Sequence, residues 1–151
     1  MKTQLDILKA TRKNILKAMD GLSLEALNTI PTGFNNNIIW NATHVVVTQQ
    51  RLCYGLTANK MRIPEGIVAD YQIGSKPTKS VSTAEVEQTV AWLSDSITWL
   101  AEDLDQEIFK EFKTYPTSFG FTLTSIEDAV TFNNVHEAMH LGWIGAIKKS
   151  L

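Results

Sequence analysis

One cysteine, Cys53, stands in a chain of 151 residues. It excludes an intramolecular disulfide and suits a reducing compartment. Neither sign of charge dominates: 14 lysines and arginines against 16 aspartates and glutamates leave a net charge of −2. That balance lacks the basic footprint of a nucleic-acid binder. No apolar run approaches the roughly 18 residues needed to span a bilayer. The opening Met1-Lys2-Thr3-Gln4-Leu5-Asp6 is polar, so no signal-peptide core is expected there. These absences predict one soluble domain over residues 1–151, cytoplasmic, with neither nucleic acid nor membrane as partner. Histidine is also scarce. There are three, His44, His136 and His140, and their placement carries most of the functional signal.

Apolar residues recur with helical period in four long segments. The first covers about Lys2 to Met19, with Leu5, Leu8, Ile15, Leu16 and Met19 on one stripe and Gly21 after it. A short turn over Ser23 to Ile30 is closed by Pro31. Asn35-Asn36-Asn37 offers capping oxygens to a second long helix, Ile38 to about Thr57. Thr83 can cap a third, running to about Asp103 with Val86, Val90, Leu93, Ile97 and Leu100 facing the core. Thr124 and Glu127 have the spacing of a capping box that opens a fourth, ending near Lys149. Lys148 and Lys149 suit its C-terminal dipole. Between the second and third, Pro64, Gly66, Gly74 and Pro77 break any period over Ala58 to Ser82.

Four amphipathic segments of this length predict an all-α, four-helix bundle. The crossover of roughly 25 residues between the second and third helices is too long for a tight antiparallel turn. It can run the length of the bundle and set those helices parallel, in up-down-down-up order. Phe112 to Phe121, centred on Tyr115-Pro116-Thr117-Ser118, can form a small hairpin at the bundle's end.

His136 and His140 stand four apart, so one helix face carries both imidazoles with Cβ atoms roughly 5–6 Å apart. His44 lies about 90 residues upstream on the second helix. Brought alongside, three neutral imidazoles would face one point and leave open positions, the pattern of a catalytic rather than a structural metal site. At 100° per residue, the face of His136 and His140 also holds Ala129, Asn133, Trp143 and Ile147. The face of His44 holds Asn37, Trp40, Asn41, Thr48 and Arg51. Asn41, Thr48 and Arg51 on one face argue for a polar pocket, because each buried polar group needs a partner. Each also has an ordinary reading. Asn41 and Asn133 could be helix-surface residues, Arg51 could sit in a surface ion pair, and Trp40, Trp92, Trp99 and Trp143 read first as core fillers. Cys53 is half a turn away from His44 in angle and is no ligand on this reading.

His136-Glu137-Ala138-Met139-His140 matches the H-E-x-x-H pattern of zinc metalloproteases. Those enzymes need a third ligand downstream, and residues 141–151 contain neither histidine nor glutamate. Ala146 occupies the place of the metzincin histidine. Glu137 itself falls about 80° from the midpoint of the two histidines, which puts it at the pocket's edge.

The order and spacing of these pieces resemble the DinB-like superfamily of bacterial four-helix-bundle proteins. The resemblance rests on chain length, on Trp40 and His44 in the second helix, on the long crossover, and on His136-x-x-x-His140 followed by Leu141-Gly142. It covers nearly the whole chain. It implies an up-down-down-up bundle and a divalent metal, zinc or nickel, held by His44, His136 and His140, and often a homodimer. It also implies a choice of activities, from thiol-dependent S-transfer and isomerisation to metal-dependent hydrolysis. Two classes of function follow. One is a metalloenzyme joining a small-molecule thiol to an electrophilic substrate, with Asn41, Asn133 or Thr48 holding the ligands by hydrogen bonds and Arg51 as a candidate substrate contact. A hydrolytic form of the same site would activate water. The other class is a non-catalytic metal- or ligand-binding protein. No catalytic base stands out on the ligand faces.

Overall fold

Residues 1–151 are described by the computed structural model. Six helices and one small hairpin follow in the order α1 (Lys2–Met19), α2 (Leu24–Asn28), α3 (Ile38–Cys53), α4 (Glu65–Tyr71), α5 (Thr83–Asp105), β1 (Tyr115–Pro116), β2 (Thr122–Leu123) and α6 (Ile126–Lys149). A 3₁₀ turn, Gly55–Thr57, continues α3 after Cys53. None of the helices is long and apolar enough to cross a membrane.

The helix boundaries have local causes. Gly21 takes φ +72° just past α1, the left-handed conformation that ends helices at little cost to glycine. Asn37 caps α3 through its side-chain oxygen, which accepts from the Trp40 amide at 2.8 Å. Two other caps sit one residue away from the expected place. Ser82, not Thr83, caps α5, and Ser82 and Glu85 close a reciprocal capping box. At α6, Ser125 accepts from the Asp128 amide, while the Asp128 carboxylate accepts from both the amide and hydroxyl of Thr124. The Thr124–Glu127 box expected from sequence is thus replaced by its neighbour in register, because Ser125-x-x-Asp128 offers the same chemistry one position on. The crossover also contains an unforeseen helix, α4, which starts at Pro64 and turns its chain end toward α3.

Side-chain contacts fix the helix directions. Thr43 meets Thr89, Gln49 meets Ser96 and Tyr54 meets Asp103, so α3 and α5 run parallel. Gln4 meets Asn134 and Ala18 meets Lys148, so α1 and α6 are also parallel. Asn41 meets His140 and His44 meets His136, which sets α3 against α6. Arg12 on α1 reaches Leu93 and Ser96 of α5, where Leu8 packs with Ile97 and Leu100, so these two oppose each other as well. The bundle is up-down-down-up, with the crossover spanning its length.

The core runs between the four long helices, through Ile15, Ile38, Val45, Val46, Leu93 and Ile144 to Leu8, Ile97, Leu100 and Val130. Cys53 and Tyr54 are buried at that second end. Val90, expected inside, is 39% exposed. Of the tryptophans, Trp40 is buried and Trp92 and Trp99 are packed against the core, but Trp143 is half exposed. Trp143 meets Phe34 edge-on instead.

A charged residue occupies the middle of this core. Arg12, 1% exposed, donates through Nε to Glu137 Oε2 and through Nη2 to Glu137 Oε1 at 2.8 Å. Its other protons reach the Val45 and Leu93 carbonyls and the Ser96 hydroxyl. From α1, this one side chain thereby reaches the other three long helices.

Candidate metal centre

Two turns of α6 and two of α3 build the site. His44, His136 and His140 each offer a ring nitrogen, and the three nitrogens lie within 4.8 Å of one another. His44 and His140 are buried and His136 partly so.

Neighbouring groups set the protonation of two of the rings. His44 Nδ1 lies 2.6 Å from the Tyr71 carbonyl at the end of α4. A carbonyl only accepts, so the imidazole carries its proton on Nδ1 and leaves Nε2 as a bare lone pair. His140 Nδ1 meets Asn41 Oδ1 at 2.7 Å. The Asn41 amide is held that way round because its Nδ2 donates to the Asn37 carbonyl and to Asn36 Oδ1. His140 therefore also presents Nε2 to the interior. Trp40 stacks on the His44 ring, 4.6 Å between centroids and 11° from parallel, and Thr48 Oγ1 lies 3.3 Å from His44 Nε2.

These rings fit a divalent ion. His44 Nε2 and His136 Nε2 are 3.2 Å apart. Two nitrogens on one ion at Zn–N distances of about 2.0–2.1 Å stand about 3.3 Å apart in a tetrahedron. Three imidazoles with no thiolate or carboxylate beside them form a borderline donor set suited to zinc, nickel or copper rather than magnesium or calcium. His136 differs from the other two: its Nδ1 is buried without a partner. In the absence of a cation its one proton serves best on Nε2, donated to His44; with a cation at Nε2 that proton must move to Nδ1.

Electrostatics favour the neutral rings that ligation needs. Burial drives the His136 pKa down to about 2, helped by the neighbouring His140 and His44 and by Arg12. Burial, then His44, takes His140 down to about 3. His44 is lowered by burial and by the Arg51 charge, against the opposing pull of the Tyr71 carbonyl.

The three rings form the floor of a cavity of about 300 Å³, at the small end of ligand sites. Its walls come from α3 (Trp40, Thr48, Arg51, Leu52), from α6 (Phe132, Met139), from Ile73 and Gly74 after α4, and from Tyr115, Thr117, Ser118 and Phe119 of the hairpin. Gly120, at φ +75°, makes the tight hairpin turn possible. No aspartate or glutamate lines the cavity.

Of the residues singled out from sequence, Asn41 and Thr48 lie against the histidines and Arg51 lines the cavity wall. Asn133 does not join them. Fully buried, it donates to Glu137 Oε1 at 2.7 Å. Glu137 is likewise not at the pocket's edge: it is fully buried and paired with Arg12 on α1. The helical wheel gave its angle correctly but could not show that another helix covers it. Cys53 is buried among Leu8, Ile97 and Val130, and burial together with the Glu137 charge pushes its thiol pKa up. Sequence reasoning missed the Tyr71 carbonyl, because a backbone acceptor leaves no trace in residue identity. It also missed the role of Arg12, whose only signal was a charge inside an apolar stripe.

A family model described as the DinB superfamily matches residues 7–144, which include all three histidines. No curated protein matches the chain.

Proposed function

Because the chain belongs to the DinB superfamily, we propose that it is a divalent-metal-dependent enzyme that transfers a small-molecule thiol to an electrophilic substrate. His44, His136 and His140 hold the ion, zinc or nickel. Asn41 and the Tyr71 carbonyl keep two of the ligand rings in the tautomer that ligates, and Thr48 adds a hydroxyl beside His44. When bound, the ion lowers the pKa of a thiol entering its open position. In the transfer, sulfur forms a bond to the electrophilic carbon, the leaving group departs with its electron pair, and the thiol proton goes to solvent.

The observation that favours sulfur over water is the absence of a carboxylate from the cavity. Hydrolysis needs a base within about 2.6–3.2 Å of the water or one water further. Glu137, the base of the protease motif, spends both oxygens on Arg12 and Asn133. A thiol needs less help, since it already ionises near neutral pH. Metal-dependent hydrolysis is the second reading, and a binding protein without turnover the third.

Assaying the zinc- and nickel-loaded protein against a panel of cellular thiols and alkylating electrophiles tests the proposal. Metal-dependent formation of a thioether product supports it. Ester or amide hydrolysis without any thiol requirement replaces it with the second reading, and no turnover with either favours the third. A cytoplasmic homodimer belongs to the same proposal. Val135, Met139 and Trp143 expose apolar surface along one face of α6, and a monomer mass in light scattering would reject that element.

A further inference from the structure

Arg51 is the one charged residue in the cavity wall. It lies in the last turn of α3, seven residues beyond His44, which is close to two full turns and about 10 Å along the axis. That spacing returns it to the His44 face, and helical side chains lean toward the helix N-terminus, so the guanidinium leans back toward the imidazoles. The chain's four ion pairs leave Arg51 out: they use Arg12, Arg62, Lys79 and Lys110. The cavity lining also carries apolar surface from Leu52, Leu56, Phe119 and Phe132. A cavity with one cation outside the chain's ion pairs, a place for a divalent ion and no acidic residue carries positive charge that an anionic ligand would neutralise.

We propose that the molecule this cavity takes bears a carboxylate, held by Arg51 at one end of an apolar body, with its reacting atom at the histidine end. This rests on the metal-dependent reading above and adds the substrate class to it. The planar guanidinium fork matches a carboxylate in two parallel hydrogen bonds, and it acts as a specificity residue rather than as part of the chemistry.

Two pairs of probes separate the anion from the sulfur: 6-mercaptohexanoate with 6-mercaptohexanol, and hexanoate with hexanol. Affinities for the zinc-loaded protein are read by calorimetry, in the unaltered chain and in Arg51→Gln and Arg51→Lys. Within at least one pair the acid is expected to bind about tenfold or more tighter than the alcohol, the scale of a charge-assisted contact. Arg51→Gln should reduce that preference to about twofold or less at unchanged zinc content, and Arg51→Lys should retain part of it. Equal binding of acid and alcohol in both pairs, weak or undetectable binding included, overturns the proposal. So does an acid preference that survives Arg51→Gln, since the carboxylate would then be held elsewhere. The comparison of each thiol with its sulfur-free partner reports separately on the thiol reading, which can fail while the Arg51 anchor stands.

Discussion

His44, His136 and His140 differ in how firmly their neighbours hold them. His44 and His140 each have Nδ1 against an oxygen acceptor, whereas His136 Nδ1 has none. Purified protein should bind about one divalent ion per chain, and His136→Ala should remove most of it, since two imidazoles alone hold zinc weakly. Elemental analysis after dialysis measures this; full occupancy in a His44→Ala, His136→Ala double variant would end the metal assignment. Asn41→Ala removes the acceptor that orients His140, and zinc affinity should fall about 10–100-fold with the three ligands intact. A competition titration reads that loss, and unchanged affinity would mean that packing alone orients the ring. The pH dependence follows from the same burial. His136 and His140 titrate at about 2 and about 3, below the ordinary 6.5. Between those limits the unfolded chain binds more protons than the folded one, so stability rises with pH there. Metal-free protein should therefore keep the histidine contribution above about pH 6.5 and lose it progressively as the pH falls toward 3. Denaturant midpoints at pH 7, 6, 5 and 4 check the sign, with His136→Ala flattening the slope.

At the scale of elements, the contact that matters most is the one joining α1 to α6. Glu137→Gln leaves Arg12 buried with no opposite charge and with an amide NH2 in place of one acceptor oxygen, a loss of about 3–5 kcal/mol for such pairs. The thermal midpoint should drop clearly, while zinc content measured well below that midpoint stays within a few-fold, because Glu137 faces α1 and not the cavity. A zinc content that collapses in folded Glu137→Gln protein would place the carboxylate in the metal site after all. This element also shows where the sequence was readable and where it was not. The four long helices, the cap at Asn37 and the parallel pairing of α3 with α5 followed from period, from capping chemistry and from connection length. The histidines converge because an i, i+4 pair on α6 leaves little freedom once α3 lies alongside. What sequence could not supply was the neighbour of each buried face. Glu137 and Asn133 have the right angles for a pocket edge, yet Arg12, far away in sequence, turns them into core. Helix α4 was hidden because Pro64, Gly66 and Gly74 interrupt any apolar period. The caps at Ser82 and Ser125 were missed by one residue because Ser82-Thr83 and Thr124-Ser125 each offer two adjacent hydroxyls, and geometry alone chooses between them.

For the whole molecule, the hairpin sits at the end of the bundle where α3 stops, with Leu123 packed against Leu52 and the Lys113 amide donating to the Leu56 carbonyl. The same end closes over Tyr54, Asp103 and Arg62, where the tyrosine hydroxyl donates to the carboxylate at 2.6 Å and the arginine pairs with it. The cavity is lined by the residues after α4 and by the hairpin, together with α3 and α6. The Arg12–Glu137 pair lies behind it and links positions 125 apart in sequence. Bringing such distant residues together costs chain entropy that local helix contacts do not. The pair should thus form after the rate-limiting barrier of folding. Glu137→Gln is then expected to speed unfolding by most of its destabilisation and to leave the folding rate within about twofold. Stopped-flow chevrons decide this, and a folding limb that slows in proportion would instead put the pair in the nucleus. A clasp absent from the barrier and present in the native state makes the fold slow to open. The three-histidine cluster, whose His136 is the residue next to Glu137 on α6, is by the same contact slow to come apart.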